Sequence, residues 1–301
     1  MELIKDSAEH YFLTCLDELK DNSNRWFGLF FSMSKTLSHQ DLVSDLPMIF
    51  DKIETARAKR DVFAEELQAA LQDGFDGSIC VFTDMDIFVI AHVKDSLAQK
   101  ALEDVFKKMA ARLPAGMSDM DVLGRQMRSY QKLADEKILS VRKFSAYEAM
   151  ADKHKVSSIS ARRKRREDPV VMMVEDDRFT AHYASTILSS DFELVMCKDG
   201  EAAVKDYIEH APDIVFLDIH LPGLSGHDVL QSIQAVDSNA FVVMLSVDSV
   251  RENIVNASRM GARKFLKKPF TKERLIETVK NSPYVRELMR GDRAGTDQMF
   301  H

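Results

Sequence analysis

Four short β-prone runs in the C-terminal half each lead into a polar residue, and this pattern restricts the fold more than any other feature of the chain. The runs 170–174, 214–217, 242–245 and 264–267 are followed by Glu175, Asp218, Ser246 and Lys268. Strands that alternate with stretches of helical length predict a parallel sheet with helices on both faces. Ligands bind at the carboxyl ends of such strands, so these polar side chains are expected to meet at one edge.

These residue types suit phosphoryl transfer. Glu175, Asp176 and Asp218 would repel one another without a cation, and carboxylate oxygens are ligands that Mg²⁺ accepts. With Mg²⁺ bound, Asp218 stays ionised and can attack phosphorus, while Lys268 and the Ser246 hydroxyl would bind phosphoryl oxygens. Any one of these acids could instead solvate a loop or cap a helix, but the ordered set predicts a phosphoryl-transfer site.

With these residues in place, the segment from about 168 to 290 resembles the receiver domain of two-component response regulators. The resemblance is carried by the acidic segment Val174–Asp177, the segment Asp218–Gly223, Ser246 and Lys268. It implies that Glu175 and Asp176 hold Mg²⁺ and that Asp218 is the phosphoacceptor.

The same resemblance assigns further roles. It implies that the main-chain carbonyl of His220 ligates the metal and that Phe265 is an aromatic switch residue acting with Ser246. The alternative for Phe265 is a fixed core position. The family usually has a small residue after the hydroxyl residue, and here Val247 stands there, which could narrow access to the phosphoryl group. A cis peptide is expected at Lys268–Pro269.

The predicted receiver is α/β, a doubly wound five-stranded parallel sheet, and the resemblance implies the strand order 2-1-3-4-5. Asp177 is expected to start the first helix, and the Thr271 side chain to cap the last one. The predicted strands lie near 170–174, 192–197, 213–218, 240–246 and 262–266. The predicted helices lie near 178–190, 199–210, 225–236 and 249–260, with a last one from 271.

The first 117 residues predict an N-terminal α+β domain with a ferredoxin-like layer. The element order βαββα supports this interpretation, because two β-prone runs around a short acidic turn are typical of a hairpin. The expected elements are a helix at 2–20, a strand at 26–33, a helix at 40–71, hairpin strands at 78–83 and 87–91, and a helix at 96–113.

The hairpin turn resembles the GGDEF region of diguanylate cyclases, with Asp84-Met85-Asp86-Ile87-Phe88 in the position of that motif. Both glycines are absent, Ile87 replaces the glutamate, and Ser32 and Ser34 stand where a metal-binding aspartate would be expected. A homologous domain would therefore be catalytically inactive. The alternative is an unrelated interaction domain with a similar hairpin.

Residues 118–167 are predicted to form a helical and basic linker, and 291–301 a flexible tail. Five consecutive basic residues, 162–166, could contact nucleic acid or an anionic membrane, could be a solvated linker, or could dock on the acidic phosphoacceptor face. The serines in 157–160 suggest a flexible joint.

Length and charge limit the class of protein. A chain of 301 residues predicts two domains, and a net charge of −7 argues against general binding to nucleic acid. Cys15, Cys80 and Cys197 lack metal-ligand spacing and are interpreted as free thiols. Neither a signal peptide nor a membrane span is recognisable, so a soluble cytoplasmic protein is expected.

These observations predict an atypical response regulator that is not itself an enzyme. A cognate histidine kinase or phosphotransfer protein would phosphorylate Asp218, and the receiver would then change its contact with an unknown output protein; a homodimer is a further option. Two alternatives stay open. The N-terminal half could be a degenerate effector that binds a guanine nucleotide under receiver control, or the run 162–166 could serve a nucleic-acid-binding regulator.

Overall fold

The computed structural model describes residues 1–21, 23–34, 38–72, 74–247 and 257–290. The chain divides into two compact units, the first formed by Met1–Leu42 and Met48–Phe144, the second by Val43–Pro47 and the chain from Ser145 onward. The predicted tail 291–301 and most of the predicted helix 249–260 lie outside the described residues.

The first unit contains a mixed five-stranded sheet. Its strands lie in the order β1-β3-β4-β2-β5, in which β1 pairs parallel to β3 and all other pairs are antiparallel. The βαββαβ order of β2 to β5 confirms the ferredoxin-like prediction. The strands are β1 (Glu2–Ile4), β2 (Trp26–Phe31), β3 (Asp76–Val81), β4 (Ile87–His92) and β5 (Ser118–Val122).

Helices cover both faces of this sheet. One face packs Phe63 and Leu67 of α3 together with Leu102 of α4, and the other packs Phe12 of α1 and Tyr130 of α5. Both layers of apolar side chains are removed from water, which is the main favourable term in folding. The helices are α1 (Ala8–Leu19), α2 (His39–Val43), α3 (Ile49–Leu71), α4 (Ser96–Ala110) and α5 (Leu123–Ala151).

Two predictions for the first unit were wrong. The first residues of the predicted helix 2–20 form β1, and residues 118–122, assigned to the linker, form β5 beside β2. The sequence of β5, Ser-Asp-Met-Asp-Val, carries acidic residues at an edge of the sheet. Charged side chains on edge strands prevent pairing with other chains, so an apolar pattern does not reveal such a strand.

The second unit contains an all-parallel five-stranded sheet in the order β7-β6-β8-β9-β10. This is the predicted order 2-1-3-4-5. Leu188, Phe216 and Leu245 belong to its apolar core. The strands are β6 (Val170–Val174), β7 (Glu193–Cys197), β8 (Ile214–Asp218), β9 (Val242–Ser246) and β10 (Lys264–Lys267).

Side-chain caps fix where most helices of the second unit begin. Asp177 and Thr271 accept hydrogen bonds from the main chain of the helices that follow them, as predicted. The Lys268–Pro269 peptide is cis, also as predicted. The helices of this unit whose bounds lie within the described residues are α6 (Lys153–Lys164), α7 (Arg178–Leu188), α8 (Gly200–His210), α9 (Gly226–Val236), α10 (Lys272–Lys280) and α11 (Pro283–Met289).

Candidate functional site

The carboxyl ends of the receiver strands bring the predicted acids and the lysine together. Asp218 ends β8, and Glu175 directly follows the neighbouring strand β6. The Lys268 ammonium bridges them, since its Nζ lies 2.5 Å from Glu175 Oε2 and 2.8 Å from Asp218 Oδ2. Glu175 and Asp218 are buried, whereas Asp176 is exposed. This group is called the receiver cluster: Glu175, Asp176, Asp218 and Lys268.

The receiver cluster has the donor set of a divalent metal site. One carboxylate oxygen from each of Glu175, Asp176 and Asp218 lies within 4.8 Å of the others. Hard oxygen ligands on a partly open edge suit Mg²⁺, which needs few protein ligands because it keeps several waters. The predicted metal residues therefore fit the ion that the resemblance implies. His220 is exposed directly after Ile219, at the rim of this edge.

Burial and neighbouring charges shift the pKa values of Glu175 and Lys268. Burial raises the pKa of Glu175 above its usual range, and the nearby Asp218 charge adds to that rise. Burial by itself would lower the pKa of Lys268. The hydrogen bonds and charges of Asp218 and Glu175 outweigh that effect, so the pKa lies above its usual value. The lysine stays charged while its carboxylate partners are crowded, which favours the entry of a further cation.

The predicted hydroxyl residue is bonded to the cluster through its main chain, and the predicted aromatic residue lies on the neighbouring strand β10. Ser246 is buried at the end of β9, and its carbonyl accepts a hydrogen bond from Lys268 N at 2.8 Å. Lys267 pairs with Ser246 and Phe265 with Met244, so Phe265 and Ser246 point to the same face of the sheet. Phe265 is half-buried, not fully enclosed in the core. Val247 exposes 56% of its surface next to Ser246.

A second buried cluster of charges lies in the first unit. The Lys137 ammonium contacts Asp84 Oδ2 at 2.8 Å and also binds the Asp86 carboxylate. All three side chains are at most 10% exposed. This group is called the hairpin cluster: Asp84, Asp86 and Lys137.

Sequence reasoning did not identify Lys137. It lies three residues after Ala134 and seven after Tyr130, and both of these are buried on the inner face of α5. A lysine on the apolar face of a helix was the available signal, because a buried ammonium needs a buried partner.

The basic run 162–166 is held by the receiver itself. Arg162 binds the main-chain carbonyls of Ile208 and Glu209, and Arg166 those of His210 and Ala211, at and just beyond the end of α8. The last carbonyls of a helix lack partners within the helix and attract cations. Lys164 and Arg165 are exposed.

Arg163 is the most deeply buried residue of the run. It is 2% exposed and binds Tyr207 Oη at 2.9 Å and Asp237 Oδ2 at 2.7 Å. The interpretation of a solvated linker was therefore wrong, as was the flexible joint, because 157–160 lie inside α6. The run also does not dock on the phosphoacceptor face. Its partners lie at the end of α8, at the Pro212 carbonyl before β8 and at Asp237 after α9, whereas Asp218 is the last residue of β8.

Comparisons with known proteins agree with this geometry. The response regulator receiver domain family matches residues 171–280. The chemotaxis protein CheY of Bacillus subtilis is 32% identical over 111 residues, which cover 36% of this chain and 92% of the relative. The CheY of Listeria monocytogenes is 37% identical over 114 residues, covering 37% of this chain and 96% of the relative.

A solved structure is also similar in sequence to part of the chain. The CheX–CheY–BeF₃–Mg²⁺ complex from Borrelia burgdorferi contains a chain that is 31% identical, with coverage of 37% of this chain and 87% of that chain and a TM-score of 0.36. The protein belongs to the response regulator family, with a receiver domain in its second unit. None of the helices within the described ranges is long and apolar enough to cross a membrane.

Proposed function

We propose that the receiver accepts a phosphoryl group on Asp218, in the presence of Mg²⁺, and thereby alters a contact with a protein partner. The observation that supports this most strongly is the convergence of the three carboxylates and Lys268 at one edge of the sheet. The phosphoryl donor is a histidine kinase or a phosphotransfer protein.

Each residue of the receiver cluster has a role that follows from its position. A carboxylate oxygen of Asp218 is the nucleophile, and Lys268, already 2.8 Å from that carboxylate, neutralises charge on the incoming phosphoryl group. Glu175 and Asp176 would hold the metal together with Asp218, and the resemblance adds the main-chain carbonyl of His220. When bound, Mg²⁺ would supply positive charge beside the Asp218 carboxylate and the phosphoryl oxygens.

The protein acts as a phosphoacceptor and not as an enzyme on an external substrate. The first unit is the interaction or output domain. Within the described residues, Glu175, Asp176 and Asp218 are the one group with the spacing of a divalent site. Lys137 neutralises the two aspartates of the hairpin, so the position that resembles a nucleotide-cyclase motif offers no free carboxylate pair to a metal nucleotide.

The nucleic-acid alternative loses its support for a similar reason. Three of the five basic side chains in 162–166 already bind receiver groups. A surface that binds phosphates needs cations that are free to replace counterions, and here only Lys164 and Arg165 are exposed.

The signal leaves the site through Ser246 and Phe265. A phosphoryl oxygen would attract the Ser246 hydroxyl, and the half-buried Phe265 ring on the same face would then move further inward. Burying an aromatic ring changes the free energy by up to about 2–3 kcal/mol. A factor of ten in affinity needs only about 1.4 kcal/mol, so this movement is sufficient to change partner binding.

Beryllofluoride, which mimics the phosphoryl group, tests the chemistry. We expect an adduct on the intact protein only when Mg²⁺ is present and none in Asp218→Asn, measured by fluorine NMR. Asp199→Asn, which removes a helix-capping carboxylate elsewhere in the receiver, is the control and should behave as the unmodified protein. An adduct of equal yield without any divalent metal would overturn the assignment of Glu175 and Asp176.

Hydrogen exchange with and without beryllofluoride tests the switch. Protection should change across β10 and at the start of α10, as well as at the loops that hold the acids. Changes restricted to 175–178 and 219–225 would contradict the role of Phe265. The predicted effect on helix 249–260 concerns a segment mostly outside the described residues.

A further inference from the structure

The hairpin cluster has the surroundings of a cation site, and the cation in it is the ammonium group of Lys137. The Asp84 and Asp86 carboxylates both turn an oxygen toward Lys137 Nζ. The rings of Phe30 and Phe82 lie 5.3 and 5.6 Å from the same ammonium, and aromatic faces attract cations. The ammonium is thus surrounded by groups that favour positive charge.

The Asp86 carboxylate is fixed in place independently of Lys137. Its Oδ1 accepts hydrogen bonds from Met33 N and Ser34 N, both at 2.7 Å. The Ser34 hydroxyl reaches Oδ2 at 3.1 Å and the Ser32 hydroxyl at 3.4 Å. The segment after β2 therefore holds Asp86 in position and adds two hydroxyl oxygens next to the carboxylates.

The hairpin turn is held from other sides as well. Thr83 N donates to Glu9 Oε1 at 2.7 Å, and Arg60 donates to the Phe82 carbonyl at 3.0 Å. Asp86 N donates to Asp84 Oδ1 at 3.2 Å within the turn. These contacts would keep the two aspartates close together if the lysine were shortened.

The pKa values in the hairpin cluster depend on the positive charge of Lys137 beside the two aspartates. Burial lowers the pKa of Lys137, but Asp84 and Asp86 raise it above its usual value. Burial also raises the pKa of Asp84, and the Asp86 charge adds to the rise while Lys137 opposes it. Without the Lys137 charge, nothing would oppose the rise that burial and the Asp86 charge cause in the pKa of Asp84.

We propose that the hairpin turn is a closed cation site, in which the Lys137 ammonium stands where a divalent ion could bind and makes the first unit independent of metal. Removal of the ammonium should convert the site into a divalent-cation site built from Asp84, Asp86 and the hydroxyls of Ser32 and Ser34. All of these ligands are oxygens, the type that Mg²⁺, Mn²⁺ and Ca²⁺ accept. This inference does not rest on phosphorylation of the receiver.

Mn²⁺ binding to the full chain tests the proposal. The background carries Glu175→Gln, Asp176→Asn and Asp218→Asn, so that the receiver cluster contributes no metal site. In this background we expect no saturable Mn²⁺ binding by electron paramagnetic resonance. Adding Lys137→Ala should create one saturable site per chain, and Mn²⁺ should raise the melting temperature of that variant only.

Two matched variants complete the test. Lys132→Ala removes an ammonium from the same helix, where the side chain is 80% exposed, and it should not create a Mn²⁺ site. Asp84→Asn combined with Lys137→Ala removes one ligand and should lose the new site. Mn²⁺ binding that persists undiminished in that double variant would overturn the ligand assignment.

Failure of Lys137→Ala to fold without metal would also be informative. Trp26 is the single tryptophan of the chain and lies in the first unit, so its fluorescence reports folding there. The variant should regain the native Trp26 spectrum on refolding with Mn²⁺, Mg²⁺ or Ca²⁺. No recovery with any of the three ions, or a folded variant without saturable Mn²⁺ binding, would overturn the proposal.

Discussion

The receiver cluster and the hairpin cluster use the same arrangement, in which one lysine bridges two buried carboxylates, yet they differ in what lies beside it. The receiver cluster has a third carboxylate, Asp176, exposed at its rim. The hairpin cluster instead has main-chain N–H donors and two aromatic rings around it. The receiver cluster has an excess of negative charge that is accessible to water, and this favours binding of a cation. In the hairpin cluster the enclosed Lys137 ammonium already occupies the cation position.

The two lysines also differ in how completely they neutralise their carboxylate partners. In the receiver, Lys268 neutralises only part of the negative charge of Glu175, Asp176 and Asp218, which is what the phosphoacceptor role proposed for Asp218 requires. In the first unit, Lys137 and the Met33 and Ser34 amides saturate Asp86. A fully satisfied buried network gives rigidity instead of chemistry.

Lys137→Met should have the largest effect on stability. It leaves two buried carboxylates without a counterion, and breaking a buried ion pair in this way costs roughly 3–5 kcal/mol. Urea unfolding followed by Trp26 fluorescence in EDTA measures the loss in the first unit. Lys132→Met, on the exposed side of α5, should change the free energy of unfolding by less than about 0.5 kcal/mol. Equal effects of the two substitutions would mean that the hairpin cluster is not a structural ion group.

Asparagine substitutions in the two clusters should have opposite signs in the absence of metal. Asp86→Asn removes charge-assisted hydrogen bonds and should lower the stability of the first unit by about 1.5–3 kcal/mol. Asp218→Asn relieves repulsion with Glu175 and should raise the stability of the receiver by about 1 kcal/mol. Hydrogen exchange of β4 and β8 amides in EDTA measures both. A loss of receiver stability in Asp218→Asn would show that Lys268 already balances the cluster.

The pH dependence of the folding stability should also distinguish the two clusters, with a smaller effect than the substitutions above. Burial raises the pKa of Glu175 and of Asp84 in the folded protein. The folded state then binds a proton more readily than the unfolded state, so each group costs stability at neutral pH. That cost is relieved as the pH falls through the raised folded value.

Mg²⁺ at neutral pH should remove the part of this pH dependence that comes from Glu175 and leave the part from Asp84. Glu175→Gln and Asp84→Asn identify the two contributions, in unfolding curves recorded between neutral pH and the usual carboxyl range. An Asp84 contribution that Mg²⁺ also removes would contradict the closed hairpin cluster.

The receiver could be predicted from sequence because four of its strands are short β-prone runs and a functional residue is adjacent to each of these runs in the chain. The predicted run 170–174 is β6 itself. Four polar residues each stand at or directly after a strand end: Glu175, Asp218, Ser246 and Lys268. Parallel β-strands buried on both faces are short apolar runs, and their carboxyl ends meet at one edge whatever the details of packing.

The remaining features depend on contacts between residues far apart in sequence. Lys137 is 51 residues from Asp86, and Arg163 is 74 residues from Asp237. The strand β5 is recognised through its pairing with β2, because its own residues are mostly polar. Such partners are fixed by tertiary structure, which local periodicity does not contain.

A Mn²⁺ titration of the unmodified chain tests the central comparison most directly. With one open and one closed lysine-bridged cluster, electron paramagnetic resonance should show one bound Mn²⁺ per chain. That ion should be lost in Glu175→Gln/Asp176→Asn and retained in Asp84→Asn. Two ions bound to the unmodified chain, or an ion that survives in the Glu175→Gln/Asp176→Asn variant, would contradict the account.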